Sequence, residues 1–248
     1  MMKRLLYVSA CTVLAFSLIG CSPLSGKQDN ENSNTEETNT ESSEQIIDDV
    51  QKYTEGISDY LPSDSKYRLY NGYAEAGFEV KFKEKTNEKD YIVYKYIGAM
   101  CDGMGTEGKK RTFDVTYTIG DGSVVEHVEN KDPFAQSAEN VYSIIPDFIV
   151  LKGEIEKDNS WEQSIEIDGQ TVVGKTTIVS VSDDSFTTRT EIPLKGYKNG
   201  VYTEERTYTK GKGITGFNNT PYGSDEDDTL IFGYGYSTEN DSSVTGEI

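Results

Sequence analysis

Residues 98–108 read GAMCDGMGTEG and place Cys101 among glycines, directly after an apolar stretch. A thiol in such a turn acts as a nucleophile when a neighbouring base, usually a histidine, activates it. His127 is the only histidine of the chain, so a cysteine–histidine dyad has to pair Cys101 with His127. Glycines and then a strand pattern follow Cys101, whereas catalytic cysteines commonly begin a helix. The sequence therefore favours a cysteine in a loop between two strands.

Other reactive sites have little support in the sequence. A single histidine excludes histidine-rich metal sites and the H-E-x-x-H hydrolases, and no G-x-S-x-G or G-K-[ST] motif occurs. The acidic run SDEDD over 224–228 lacks the alternating pattern of a calcium loop. A pair of carboxylates suited to glycoside hydrolysis stays open, because so acidic a chain has close pairs by chance. We predict no catalytic residue, no metal ligand and no cofactor.

The first twenty residues have the composition of a secretory signal. Lys3 and Arg4 precede an apolar stretch, Leu5–Ile19, that is too short for an ordinary membrane-spanning helix. Gly20 and Cys21 follow, and a cysteine after a small residue resembles the bacterial lipoprotein signal, the lipobox. That resemblance implies cleavage before Cys21 and fatty acyl chains such as palmitate attached through it. We therefore predict lipid attachment at Cys21 and a protein held on the cell membrane, facing outside the cytoplasm.

The rest of the chain divides by composition. We predict a disordered acidic tether over 21–45, an antiparallel β domain over 46–223, and an acidic tail over 224–248. Within the tail, residues 229–236 form either an edge strand or an exposed aromatic strip. Cys101 is the one thiol left after the signal is removed and Cys21 is acylated, so no internal disulfide is expected. The formal net charge of −19 argues against nucleic acid as a partner.

The sequence of residues 46–223 predicts a mainly β fold. FEVKFK over 78–83 and TFDVTYTI over 112–119 alternate apolar and polar residues, which predicts strands with one buried face. Gly120-Asp121-Gly122 and Asn199-Gly200 are turn signals between such strands. We expect a curved antiparallel sheet, as a half-barrel or a sandwich. One amphipathic helix should precede it, since Ile46, Val50, Tyr53 and Ile57 have helical spacing. A faint echo suggests two sheet units, over 60–132 and 147–217.

Three stretches carry a family resemblance. They are DYLPSDSKYRLYNGYAEAGFEVKF over 59–82, IVLKGEIEKDNSW over 149–161 and ERTYTKGKGITGF over 205–217. They resemble uncharacterised cell-surface lipoproteins of low-GC Gram-positive bacteria (Firmicutes), which have a tyrosine-rich antiparallel β domain. The resemblance implies that fold and brings no activity or catalytic residue with it. The acidic, aromatic C-terminal extension departs from the family pattern.

Three functions are compatible with these patterns. The first is a non-enzymatic, membrane-anchored module that binds a ligand or an envelope protein in the concavity of its sheet. The second is a cell-wall-active hydrolase that uses Cys101 and His127 or a pair of carboxylates. The third is a structural accessory of an envelope complex. We favour the first, because the sequence offers no complete catalytic set.

Overall fold

The computed structural model describes residues 56–72, 77–101, 111–129, 143–167, 169–223 and 232–248. The predicted signal, Cys21, the tether over 21–45, most of the predicted helix and the run over 224–228 lie outside these residues. Gly56–Ser58 is the part of the predicted helix that is described, and it is helical. No helix among the described residues is long and apolar enough to cross a membrane.

The described residues form twelve strands in one sheet. The strands are β1 (Tyr67–Gly72), β2 (Gly77–Asn87), β3 (Tyr91–Met100), β4 (Thr112–Gly120), β5 (Ser123–Glu129), β6 (Phe148–Lys152), β7 (Ser160–Ile167), β8 (Gln170–Val181), β9 (Ser185–Pro193), β10 (Val201–Thr209), β11 (Gly213–Asn219) and β12 (Phe232–Asn240). A 3₁₀ turn, Lys198–Gly200, precedes β10. The fold is mainly β, as predicted.

The sheet is antiparallel throughout and curls into a nearly closed barrel. Its order is β6-β5-β4-β3-β2-β1-β12-β11-β10-β9-β8-β7, so two consecutive six-stranded meanders join where β1 pairs with β12. The half-barrel expectation was thus close, whereas a sandwich of two sheets was wrong. Whether 60–132 and 147–217 are repeats stays a prediction, and the second range does not match a meander, since it begins with β6 of the first one.

Strand β12 differs from the edge strand predicted over 229–236. It lies inside the sheet, where Tyr234 pairs with Gly72 of β1 on one side and with Phe217 of β11 on the other. The Tyr234 ring is buried and stacks on Phe217 with centroids 5.0 Å apart. Burial of this ring explains why the tail residues join the domain instead of extending past it.

The last gap in the barrel, between β6 and β7, is bridged by side chains. We call this gap the seam. Trp161 Nε1 donates to the Ile149 carbonyl at 2.9 Å, and the Ile149 amide donates to Gln163 Oε1 at 2.9 Å. Gln163 Nε2 donates to the Asp147 carbonyl at 2.7 Å. Two side chains of β7 thus satisfy backbone groups that a neighbouring strand would otherwise pair.

The predicted inward positions are confirmed. Phe78, Phe113 and Ile119 are buried inside the barrel, as the alternation requires. Gly98 faces the same interior, and a Cβ built on it would lie 2.1 Å from Cζ of Phe113. Glycine is required there because the Phe113 ring lies directly over the backbone of β3.

The chain covers the barrel at two places. Residues 56–66, which we call the cap, bury Ile57, Tyr60 and Leu61, and the Asp59 carbonyl accepts from the Gly211 amide at 2.7 Å. The C-terminal residues 241–248 fold onto the outer face of β2. There the buried Glu79 carboxylate accepts from the amides of Val244 and Thr245 and from the hydroxyls of Ser243 and Thr245. These contacts explain how a glutamate on the outer face is fully buried.

Candidate functional site

Cys101 and His127 do not meet. Cys101 directly follows β3, and its amide donates to the Gly77 carbonyl at 2.8 Å. His127 of β5 pairs with Thr116 of β4, and Thr116 pairs with Lys95 of β3. Cys101 is six residues past Lys95, and a strand rises about 3.3 Å per residue, so the level of Cys101 is about 20 Å from that of His127.

His127 points to the outer face of the barrel. Its ring is half exposed, and Nδ1 lies 2.5 Å from Oδ1 of Asp147. Val124, Glu126 and Val128 occupy the inward positions of the same strand, so the alternation of β5 fixes this direction. His127 is therefore paired with an exposed carboxylate on the outside of the sheet.

The site that the structure does assemble is a hollow at one end of the barrel interior, beneath the cap. A cavity of about 50 Å³ lies within a wider hollow of about 580 Å³ that includes space open to solvent. The residues that line the hollow are Tyr60, Leu61, Pro62, Arg68, Tyr70, Phe78, Val80, Tyr96, Phe113, Val115, Tyr117, Tyr208, Lys212, Gly213, Ile214 and Tyr234. Half of these residues are aromatic.

The aromatic walls are locked against one another. Tyr70 stacks on Phe78 with centroids 4.7 Å apart, and Tyr234 meets the edge of Phe78 at 4.8 Å. Tyr96 and Tyr117 make a T-shaped pair at 5.8 Å. Such contacts contribute beyond burial alone, so they hold the wall in one shape before any ligand arrives.

The cap is tied to this wall. The Tyr96 hydroxyl donates to the Pro62 carbonyl at 3.0 Å, and the Tyr60 ring meets Phe186 edge-to-face at 4.9 Å. Burial raises the pKa of Tyr96 far above its usual range, and the same holds for Tyr70. These phenols therefore stay neutral at any physiological pH.

Arg68 brings a cation into the wall. It is 3% exposed, and its NH1 and NH2 groups donate to the two carboxylate oxygens of Asp64 at 3.1 and 2.7 Å. NH2 also donates to the Gly211 carbonyl at 3.1 Å. These hydrogen bonds from the guanidinium lower the pKa of Asp64, whose side chain is about half exposed. The two terminal nitrogens of the guanidinium are thus held in place, whereas its Nε has no hydrogen-bond partner among the described residues.

Beside the hollow lies a buried ion cluster, formed by Glu126, Glu204 and Arg206. Each of the three side chains is at most 2% exposed. NH1 of Arg206 donates to both oxygens of Glu126, at 2.9 and 3.0 Å, and its Nε donates to Oε1 of Glu204 at 2.9 Å. The guanidinium carbon lies 4.5 Å from the centroid of Phe148, which packs over its face.

Hydroxyl groups complete the cluster. Tyr117 donates to Oε2 of Glu126 at 2.8 Å, and both Ser143 and Tyr202 donate to Oε2 of Glu204, at 2.7 and 2.6 Å. Because Tyr117 also lines the hollow, the cluster and the hollow share a wall. The cluster joins β5 to β10 across the barrel interior.

Sequence reasoning missed this cluster, although a signal for it was present. Glu126 stands between the apolar positions Val124 and Val128, and Glu204 and Arg206 stand between Tyr202 and Tyr208. Period-two alternation places all of them on the buried face of their strands. A charged residue in phase with buried neighbours therefore predicts an internal ion pair.

Comparison with known proteins adds little to this geometry. No protein-family model and no curated protein matches the chain. A crystal structure described as a putative lipoprotein from Parabacteroides distasonis matches it at 9% identity and a TM-score of 0.40, over 73% of this chain and 98% of the other. A likeness this distant carries no argument about function.

Proposed function

We propose that this protein is a lipid-anchored, extracytoplasmic module that binds a ligand without chemical turnover, in the hollow beneath the cap. The observation that carries the proposal is a pre-formed aromatic hollow, open to solvent and lined by two cations. Ligand sites are concave, mostly apolar and supplied with a few polar groups that orient the ligand. The hollow has these properties, and its walls are held by ring contacts and by the neighbouring ion cluster.

The hydrolase alternative has less support. Its first version needs Cys101 and His127 together, but the register places them about 20 Å apart along the strands. Its second version needs two carboxylates that face a substrate. Glu126 and Glu204 are the buried pair, and both are occupied by Arg206 and by hydroxyl donors. A role as an envelope accessory has no specific observation in its favour.

Filling the hollow should abolish ligand binding. Val80 is half-buried and lines the hollow, so Val80→Phe places a ring in the ligand space. We expect small molecules from an extract of the host cell envelope to remain bound to the wild type in native mass spectrometry and to be absent from Val80→Phe.

The matched control is Val173→Phe, since Val173 is 50% exposed on β8 and does not line the hollow. This variant should retain the bound mass. Equal binding by all three proteins, or a wild type that retains nothing, would overturn the proposed ligand site.

The anchor has its own test. Replacing Cys21 by Ala should abolish incorporation of a palmitate analogue and shift the protein to the medium or leave it unprocessed, because both acylation and cleavage depend on this cysteine. Cys101→Ala is the control, since Cys101 is the other thiol of the mature chain, and it should label as the wild type does. Normal labelling of Cys21→Ala would refute the anchor.

A further inference from the structure

We propose that the hollow takes a small apolar molecule that carries one carboxylate, with the carboxylate directed at Arg68 and the apolar body against the aromatic wall. This inference rests on the proposed function and gives its ligand a chemical class. It depends on the charges along the hollow, on the geometry of Arg68 and on the packing of the walls.

The hollow reverses the charge of the protein as a whole. The chain carries a formal net charge of −19, yet no Asp or Glu is among the described residues that line the hollow. Arg68 and Lys212 line it instead. Burial keeps the pKa of the Tyr208 and Tyr234 phenols above its usual range, so no phenolate offsets these cations. Asp64 offsets part of the Arg68 charge through their ion pair, so the preference of the hollow for an anion over a cation depends mainly on Lys212.

Arg68 has a donor left for such a ligand. Asp64 and Gly211 hold its two terminal nitrogens, but its buried Nε has no hydrogen-bond partner among the described residues. A buried N–H without an acceptor destabilises the protein, and an acceptor oxygen supplied by a ligand removes that cost. Because Asp64 already fixes the guanidinium, little side-chain entropy is lost when the ligand binds.

Beside Arg68 and Lys212, aromatic rings and a few aliphatic side chains line the hollow. Leu61, Val80 and Ile214 contribute aliphatic surface beside the rings of Tyr70 and Phe78. Such a wall can pack against an acyl chain or an aromatic ring, so the ligand is either an aliphatic or an aromatic carboxylate. Octanoate and 2-naphthoate represent the two kinds in the experiment.

The test compares probes that differ only in their polar group. Octanoate, octan-1-ol and octylamine are titrated into the full-length protein by isothermal titration calorimetry, with 2-naphthoate as the aromatic carboxylate. We expect octanoate or 2-naphthoate to bind about tenfold more tightly than octan-1-ol, since a charge-assisted hydrogen bond distinguishes them, and octylamine to bind weakest.

The variants assign the effect to residues. Arg68→Met should remove the preference for carboxylate over alcohol, and Lys212→Met should reduce it. Lys212 is exposed, so that variant keeps the test open if Arg68→Met fails to fold. The matched control is Arg189→Met, which removes an exposed arginine paired with Glu205 on the outer face and should leave every affinity unchanged.

The possible outcomes separate this inference from the proposed function. Equal affinity for octanoate and octan-1-ol, both lost in Val80→Phe, overturns the carboxylate class and supports a ligand site in the hollow. Failure of both carboxylates to bind overturns the inference, while the extract experiment decides the proposed function independently. Carboxylate binding that persists in Val80→Phe lies outside the hollow and also overturns the inference.

Discussion

Replacing Arg206 by Met should lower the free energy of unfolding by about 3–5 kcal/mol, because the change leaves two buried carboxyl groups without their cation. Within the part of the chain that the structure describes, Arg206 is the basic residue that forms ion pairs with both Glu126 and Glu204. Methionine keeps much of the side-chain volume between Phe148 and Phe217, so the loss reports the charge rather than a cavity. Urea denaturation followed by circular dichroism measures it.

The matched control is Arg189→Met. Arg189 also pairs with a glutamate, Glu205 on the next strand, but about half of its side chain is exposed. Exposed ion pairs contribute about 0–1 kcal/mol, so this variant should be close to the wild type. If Arg206→Met were as stable as Arg189→Met, the cluster would not hold the barrel interior together.

The strands were predictable because their pattern is local. Phe78, Phe113 and Ile119 alternate with polar residues, and burial on one face of a sheet is enough to produce that pattern. Strand β12 was harder to place, since Tyr234 has the same alternation whether it sits at an edge or inside a sheet. Its two neighbours, β1 and β11, are chosen by the closing of the barrel, which is a long-range property.

The site was less predictable for a different reason. Charged residues are usually exposed, so their residue types predict that Glu204 and Arg206 face solvent. Their alternation with Tyr202 and Tyr208 predicts the opposite, namely that they face the interior. The hollow is built from positions far apart in the chain, such as Tyr60 in the cap and Ile214 in β11. Only the fold brings them together. Cys101, in contrast, attracted notice through its local sequence alone, and the strand register places it about 20 Å along the strands from His127.

Closure of the barrel at the seam was not predictable from the sequence. Breaking that closure should cause the second large loss of stability. Trp161→Ala should lower the free energy of unfolding by about 3–5 kcal/mol, the usual range for removal of a buried tryptophan. The ring is 6% exposed, and its Nε1 donates across the seam to the Ile149 carbonyl. Amide hydrogen exchange should quicken in β6 and β7 first, because the edges of the sheet lose their bridge.

Trp161→Phe separates the hydrogen bond from the packing. It retains most of the ring and removes the donor, so we expect a loss of about 1 kcal/mol.

Gln163→Leu should cost about 1–3 kcal/mol, since it leaves both the Ile149 amide and the Asp147 carbonyl without this partner. Glu162→Ala, at an exposed position of the same strand, is the control and should change stability by less than about 0.5 kcal/mol. If Gln163→Leu matched that control and left exchange in β6 unchanged, the side-chain bridges would not be what closes the barrel. Trp161 and Gln163 bond to backbone atoms of Ile149 and Asp147, which any residue type would supply. The side chains at those positions therefore cannot reveal the bridge in the sequence.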